Sequence, residues 1–75
     1  MTTIDYSALD AAVLAVLASG PMCLADVYVD AGVRPAADAV AQAVGDDGRR
    51  VLDRRLTQLR TAGTVQRTPA GWSLP

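Results

Sequence analysis

Residues 56–67 read Leu-Thr-Gln-Leu-Arg-Thr-Ala-Gly-Thr-Val-Gln-Arg, and this stretch decides the fold. It completes a predicted helix over residues 49–62, in which each residue turns the chain by ~100°. At that spacing three leucines fall on one narrow stripe, which we expect to face the core: Leu52, Leu56 and Leu59. Gly63 follows directly, and glycine is favoured just after a helix C-terminus because it adopts the left-handed conformation at little cost.

A β-hairpin is predicted after this glycine. Residues 64–67 alternate in the manner of a strand, with Val65 expected to point inward. Residues 68–71 read Thr-Pro-Ala-Gly, which is typical of a turn, and residues 72–74 are predicted to return as a second strand. We expect Trp72 to pack in the core, since a large aromatic side chain on a return strand can cover the helix ends.

Three further helices are predicted upstream. The first covers residues 4–18, with Asp5 or Ser7 as its N-cap, and the second covers residues 24–31. The third covers residues 35–44 and begins with a proline at its first position, because the residue before a proline is disfavoured in a helix. Its apolar side is expected at three positions, Ala36, Val40 and Val44.

Length and composition describe one small domain over residues 1–75, mainly α with a small β-hairpin. Of its 75 residues, 51% are hydrophobic and 20% charged, which is typical of a folded core and not of a disordered tail. Lys, Glu, His, Asn and Phe are absent, and every positive charge is an arginine. This composition favours a GC-rich genome, actinobacterial or phage.

The residue types exclude several function classes. Without histidine, and with Cys23 as its one cysteine, the chain cannot form an ordinary zinc site or an internal disulfide, so we expect a cytoplasmic protein with a buried, inert thiol. No histidine, lysine or Gly-rich phosphate loop is present, so we expect no enzyme, cofactor, metal or small-molecule substrate. The apolar residues 11–18 are too few to cross a bilayer, and no membrane partner is expected.

Charge is divided along the chain. Residues 1–47 carry seven aspartates against one arginine, a net −6, whereas residues 48–75 carry six arginines against one aspartate, a net +5. Such asymmetry is expected when one face meets an anion and the rest stays solvated. On the predicted helix 49–62, the side opposite the leucines holds Arg50, Arg54, Thr57, Gln58 and Thr61, and the leucine stripe is flanked by Arg49, Arg55 and Arg60 with their charged ends outward.

The chain resembles the bacterial winged helix-turn-helix regulators of the MarR and PadR type. The resemblance is carried by Leu-x-x-Leu-Arg-x-Ala-Gly-x-Val-x-Arg over residues 56–67, by Gly-Trp-x-Leu over residues 71–74, and by residues 13–21. It implies a winged helix-turn-helix of three to four helices plus a C-terminal two-stranded wing. The recognition helix would be residues 49–62, lying in the DNA major groove, with the hairpin 64–74 as the wing.

The resemblance also implies contacts by position. Arg50, Arg54, Thr57 and Gln58 would contact bases or phosphates, and residues 67–71 would form the wing tip near the backbone. Residues 33–47 depart from the pattern, because they separate the second helix from the recognition helix where a compact helix-turn-helix uses a turn of ~3 to 4 residues.

Double-stranded DNA is therefore the predicted partner. Arginine presents a planar fork that matches guanine edges and phosphates, and glutamine can match adenine. We expect a transcriptional regulator that binds as a homodimer, because a single module of this size rarely buries enough surface for tight specific binding. The predicted contacts are Arg49, Arg50, Arg54, Thr57, Gln58, Thr61 and Arg67.

Two other interpretations stay open. One is a solvated arginine-rich face of the kind common in proteins from GC-rich genomes. The other is a protein–protein interaction module of the same fold, such as a phage protein docking on a host factor, which the overall net charge of −1 favours. The DNA interpretation fails if Arg50 and Arg54 are both engaged in carboxylate pairs or covered by another part of the fold, so we expect Arg54 to lie clear of carboxylates. Asp53 is expected to pair with Arg49 or Arg50.

Overall fold

A computed structural model describes residues 5–75, which form four helices followed by one antiparallel hairpin. The elements are α1 Ser7–Leu17, α2 Leu24–Tyr28, α3 Val33–Val44, α4 Gly48–Thr61, β1 Gln66–Thr68 and β2 Gly71–Ser73. The predicted architecture, mainly α with a small C-terminal hairpin, is confirmed at this level. Ile4, the predicted first residue of the first helix, lies outside the described residues. Within residues 5–75, no helix is long and apolar enough to cross a membrane.

The boundary between α2 and α3 differs from the prediction. The second helix ends at Tyr28, and the third begins at Val33, ahead of its proline. The cause is the carboxylate of Asp30, which accepts hydrogen bonds from the backbone N–H groups of Gly32 (2.9 Å) and Val33 (3.1 Å) and so starts a new helix there. Pro35 then sits in the first turn, where N–H groups have no partner within the helix and proline is tolerated.

One continuous core joins all four helices and the hairpin. The predicted leucine stripe of α4 is confirmed, and Val65 and Trp72 are buried as expected. The side of α3 was only partly predicted: its buried residues are Val33, Ala37, Val40 and Ala41. Val44 lies on that side of the helix but in the last turn, beyond the cover of other elements, and is 41% exposed.

A short connection joins α3 to α4, and the two helices pack against each other. Residues 45–47 join the two helices, and Gly45 adopts the left-handed conformation that ends α3, with φ of 72°. The N–H of Asp46 donates to the Ala41 carbonyl (3.0 Å), which closes the turn. The segment that separates α2 from α4 is therefore filled by a helix that leads directly into α4.

A partly buried polar contact lies at the start of α4. The Tyr28 hydroxyl donates to Asp38 Oδ1 at 2.7 Å, joining α2 to α3. The same carboxylate lies against Gly48, where a Cβ would overlap its oxygen. Glycine at the first position of α4 therefore lets three elements meet.

The hairpin is attached to the helices by backbone pairing that the sequence pattern does not show. Arg67 lies opposite Trp72 in the β1–β2 register. On the other side of β2, Met22 donates its N–H to the Trp72 carbonyl (2.9 Å) and accepts the Trp72 N–H (2.7 Å). Cys23, the next residue, is exposed, so the prediction of a buried thiol is wrong. Side chains alternate along extended chain, and Met22 takes the inward position.

We expect Gly71→Ala to destabilise the protein more than Gly20→Ala. Both glycines have a positive φ, 123° and 127°, so an alanine at either position is strained by about 1–3 kcal/mol. A Cβ at Gly20 meets nothing within 4 Å, whereas one at Gly71 overlaps the Met22 backbone, which adds about 1–3 kcal/mol. Urea unfolding of both variants measures the difference, and equal losses would mean that the loop 18–23 does not hold the hairpin in solution.

Candidate nucleic-acid interface

The predicted contact residues are all exposed, and six of them lie on α4. Burial of Val51, Leu52, Leu56 and Leu59 turns the opposite side of this helix to solvent. That exposed side carries Arg50, Arg54, Thr57 and Thr61, and the exposed Arg49 and Gln58 lie on its two flanks. Arg67 lies apart from them, exposed on β1. The structure therefore gathers the helix residues on one face and assigns Arg67 to the hairpin.

Two threonines of this face are engaged with their own helix. The Thr57 hydroxyl donates to the Asp53 carbonyl (3.0 Å), and the Thr61 hydroxyl donates to the Thr57 carbonyl (3.1 Å). Each hydroxyl oxygen keeps its acceptor lone pairs, and each side chain keeps its methyl group. In this arrangement the threonines offer a partner an acceptor and an apolar contact, but no free hydrogen.

The structure contradicts the expectation that Arg54 lies clear of carboxylates. Its Nη2 lies 2.9 Å from Oδ2 of Asp46, in the turn before α4. The Arg54 side chain is still 58% exposed, and the pair uses one of the five N–H donors of the guanidinium. The prediction that Arg54 is unpaired is wrong, but the contact leaves most of its donors toward solvent.

Asp46 is itself held in place within the turn. Its Oδ1 accepts the backbone N–H of Asp47 at 2.7 Å. This bond, followed by the bond from Arg54, lowers the pKa of the Asp46 carboxyl below its ordinary value. The carboxylate is therefore ionised at neutral pH and oriented toward α4.

Arg49, Arg50 and Arg60 are the cations of α4 that stay unpaired. Each is exposed, and none forms an ion pair with another residue in the part of the chain that the structure describes, residues 5–75. The expected pairing of Asp53 with Arg49 or Arg50 is absent from the same residues. An acid that follows its base along a helix has the less favourable orientation relative to the helix dipole, so this pair is weak.

Arg55 points back to α1 and not outward as predicted. Its Nε and Nη2 donate to the two carboxylate oxygens of Asp10 at 2.8 and 2.7 Å, and its guanidinium lies 4.4 Å from the centre of the Tyr6 ring. Asp10 raises the pKa of Arg55 above its ordinary value. Nη1 of Arg55 donates to Oε1 of Gln58 at 3.0 Å. Because that oxygen is already engaged, Gln58 offers a partner mainly its amide N–H groups.

Arg67 lies along the hairpin. Its guanidinium is 5.4 Å from the centre of the Trp72 ring, its direct cross-strand neighbour. The loop beyond it, Pro69 and Ala70, is exposed and carries no charge. Of the residues that the structure describes, no three His, Cys, Asp or Glu side chains lie close enough together to hold a metal ion.

We expect Asp10→Asn to lower the free energy of unfolding by about 1–2 kcal/mol, because it leaves the partly buried Arg55 with one neutral acceptor in place of a bidentate carboxylate. Asp53→Asn removes the same charge from an exposed position without an ion pair and should change stability by less than about 0.5 kcal/mol. Thermal and urea unfolding compare the two. Equal effects would show that the contact between α1 and α4 adds no stability.

We expect Arg54→Ala to raise the pKa of the Asp46 carboxyl without restoring its ordinary value of 3.8, because the stronger cause, the Asp47 N–H, remains. A carboxyl whose pKa is lowered in the folded state adds stability above its unfolded pKa and loses it as pH falls through the folded pKa. The pair should therefore persist below the ordinary pKa of an aspartate and be lost only as the pH falls through the lower pKa of the folded protein. Carboxyl carbon NMR titration of both proteins measures this, and an unchanged pKa would mean that the pair does not form in solution.

The candidate interface is thus one face of α4, with unpaired Arg49, Arg50 and Arg60 beside the paired Arg54. Helical spacing was enough to predict this face, but it does not show the partners of Arg54 and Arg55. No protein-family model, curated protein or solved structure matches this chain.

Proposed function

We propose that this protein is a small DNA-binding transcriptional regulator that places α4 in the major groove of double-stranded DNA. The observation that carries the proposal is the set of exposed α4 arginines that have no ion-pair partner within residues 5–75: Arg50 opposite the buried leucines, with Arg49 and Arg60 on the flank of the leucine stripe. Arginines in such a position neutralise phosphates and release counterions, which supplies most of the affinity of DNA-binding proteins. The proposed function is binding, with no catalytic step and no cofactor.

In this proposal α3 and α4 form the helix-turn-helix of a winged-helix fold. Their connection, residues 45–47, has the length that this motif uses and contains a glycine with positive φ. The hairpin that follows α4 would be the wing, held to the loop 18–23 by the backbone pairing of Met22 and Trp72. These features support the winged helix that the sequence motifs resemble, with α3, and not α2, as the helix that precedes the recognition helix.

Charge distribution supports one orientation on DNA. Residues 1–47 carry a net −6 and residues 48–75 a net +5, so the phosphate backbone attracts α4 and repels the first half of the chain. Asp46, Asp47 and Asp53 lie near the proposed contact face and reduce the attraction, so we expect moderate affinity from one copy. A homodimer in the cytoplasm, with two α4 helices on one duplex, completes the proposal.

We expect Arg50→Ala to weaken binding to a 25-base-pair duplex by about fivefold at about 0.15 M salt, and to make the plot of log affinity against log salt less steep by about 0.9. Arg34→Ala is the matched control: it removes the same charge from α3, where Arg34 already lies 3.9 Å from Asp38. We expect this variant to bind like the wild type. Fluorescence anisotropy over a salt series measures both quantities.

Two results would contradict the proposal. If the wild-type protein bound neither random-sequence DNA nor upstream genomic DNA, the proposal would be wrong. Equal affinities and slopes for wild type, Arg50→Ala and Arg34→Ala would show that α4 is not the contact surface. A nearly salt-independent interaction with a protein would instead favour an adaptor that uses the same surface.

A further inference from the structure

We propose that Arg54 reads the edge of a guanine, whereas the unpaired arginines of α4 bind phosphates, and that Asp46 is the residue that makes this difference. The inference rests on the proposed function and deepens it by naming a base specificity. It starts from the one observed contrast within the face: Arg54 has a carboxylate 2.9 Å away, and Arg49 and Arg50 have none among residues 5–75.

The contact leaves Arg54 free to make a bidentate contact. Only Nη2 approaches Asp46, and the Arg54 side chain is 58% exposed. Four N–H donors of the guanidinium remain. Guanine presents two acceptors, O6 and N7, in the major groove, and arginine pairs with both at once. Nη2 of Arg54 is thus held by Asp46, and the other guanidinium donors can contact a base.

The carboxylate disfavours a phosphate at the same place. A phosphate bound to Arg54 would lie within a few ångströms of the Asp46 carboxylate, and two like charges at that distance repel each other. The guanidinium is already neutralised by Asp46, so a phosphate contact would release little counterion. A guanine edge is uncharged and accepts the same hydrogen bonds without the repulsion. Among residues 5–75, Arg49 and Arg50 have no carboxylate within ion-pair distance (4.0 Å), so a phosphate that approaches them meets less repulsion than one that approaches Arg54.

Asp46 is positioned to orient the guanidinium. Its carboxylate accepts the Asp47 N–H at 2.7 Å, and its own backbone N–H donates to the Ala41 carbonyl at 3.0 Å. The turn therefore holds both the carboxylate and the backbone of Asp46, and the carboxylate in turn holds the Arg54 guanidinium. An arginine ordered before binding loses less side-chain freedom when it meets a base, and this adds to the preference for the base that fits.

The experiment compares base preference with salt dependence. The preferred sequence of the wild-type protein is first selected from a pool of random double-stranded DNA. Affinities for that sequence and for each single base-pair replacement are then measured over a salt series. We expect Arg54→Ala to lose the preference at one G·C pair by about 5- to 150-fold and to keep the wild-type salt slope. Arg50→Ala should keep the preference and lower the slope by about 0.9.

Two aspartate variants test the role of the carboxylate. Asp46→Asn keeps the size of the side chain but frees the charge of Arg54, so the preference for the G·C pair should fall and the slope should become steeper by about 0.9. Asp53→Asn removes the same charge from the same exposed face, without an arginine partner within residues 5–75, and should match the wild type in both quantities. Circular dichroism of each variant checks that the fold is kept.

The outcomes separate this inference from the proposed function. If Arg54→Ala lowers the salt slope as Arg50→Ala does and leaves base preference intact, Arg54 is a phosphate contact and the inference is wrong, while DNA binding stands. Binding by the wild type without any sequence preference has the same meaning. Failure of the wild type to bind any duplex would overturn both.

Discussion

Burial of the α4 leucines is the constraint on which the arrangement of this protein depends. Leu52 and Leu56 are fully buried and Leu59 nearly so, and each such side chain contributes about 1.5–3 kcal/mol through removal from water. The helix cannot rotate about its axis without losing these contacts. The direction of every other side chain on α4 follows from this, so the same hydrophobic effect that stabilises the core also places the arginines at the surface.

Three arginines of this helix show how one residue type takes different roles through its neighbours. Arg55 lies beside the buried stripe and is held by Asp10, Arg54 lies one step further around the helix and meets Asp46, and Arg50 lies opposite the stripe without a partner in residues 5–75. Exposure and the nearest carboxylate decide between them. A count of arginines would have treated all three as equal contributors to an electrostatic surface.

What could be predicted from the sequence was set by local patterns. Helical spacing was enough for the leucine stripe, and turn chemistry was enough for Gly63 and for the residues of the hairpin loop. The early start of α3 depends on two hydrogen bonds that the Asp30 carboxylate accepts from backbone N–H groups, and these compete with the local effect of Pro35. The carboxylate pairs that engage arginines of α4 join residues distant in sequence. The Asp10–Arg55 contact, for example, spans 45 positions. Periodicity carries no information on such pairs, because it describes one element at a time.

The pairing of Met22 with Trp72 also determines how the hairpin meets other molecules. Because the Trp72 backbone is bonded to Met22, Arg67 and Trp72 form a non-hydrogen-bonded cross-strand pair, and the N–H and C=O of Arg67 face away from β2. β2 thus has a neighbour on each side. The exposed edge of the small sheet is β1, where the backbone N–H and C=O of one charged residue, Arg67, point outward. An edge this short gives an incoming strand few backbone groups to pair with, so association by strand addition is disfavoured at this side of the hairpin.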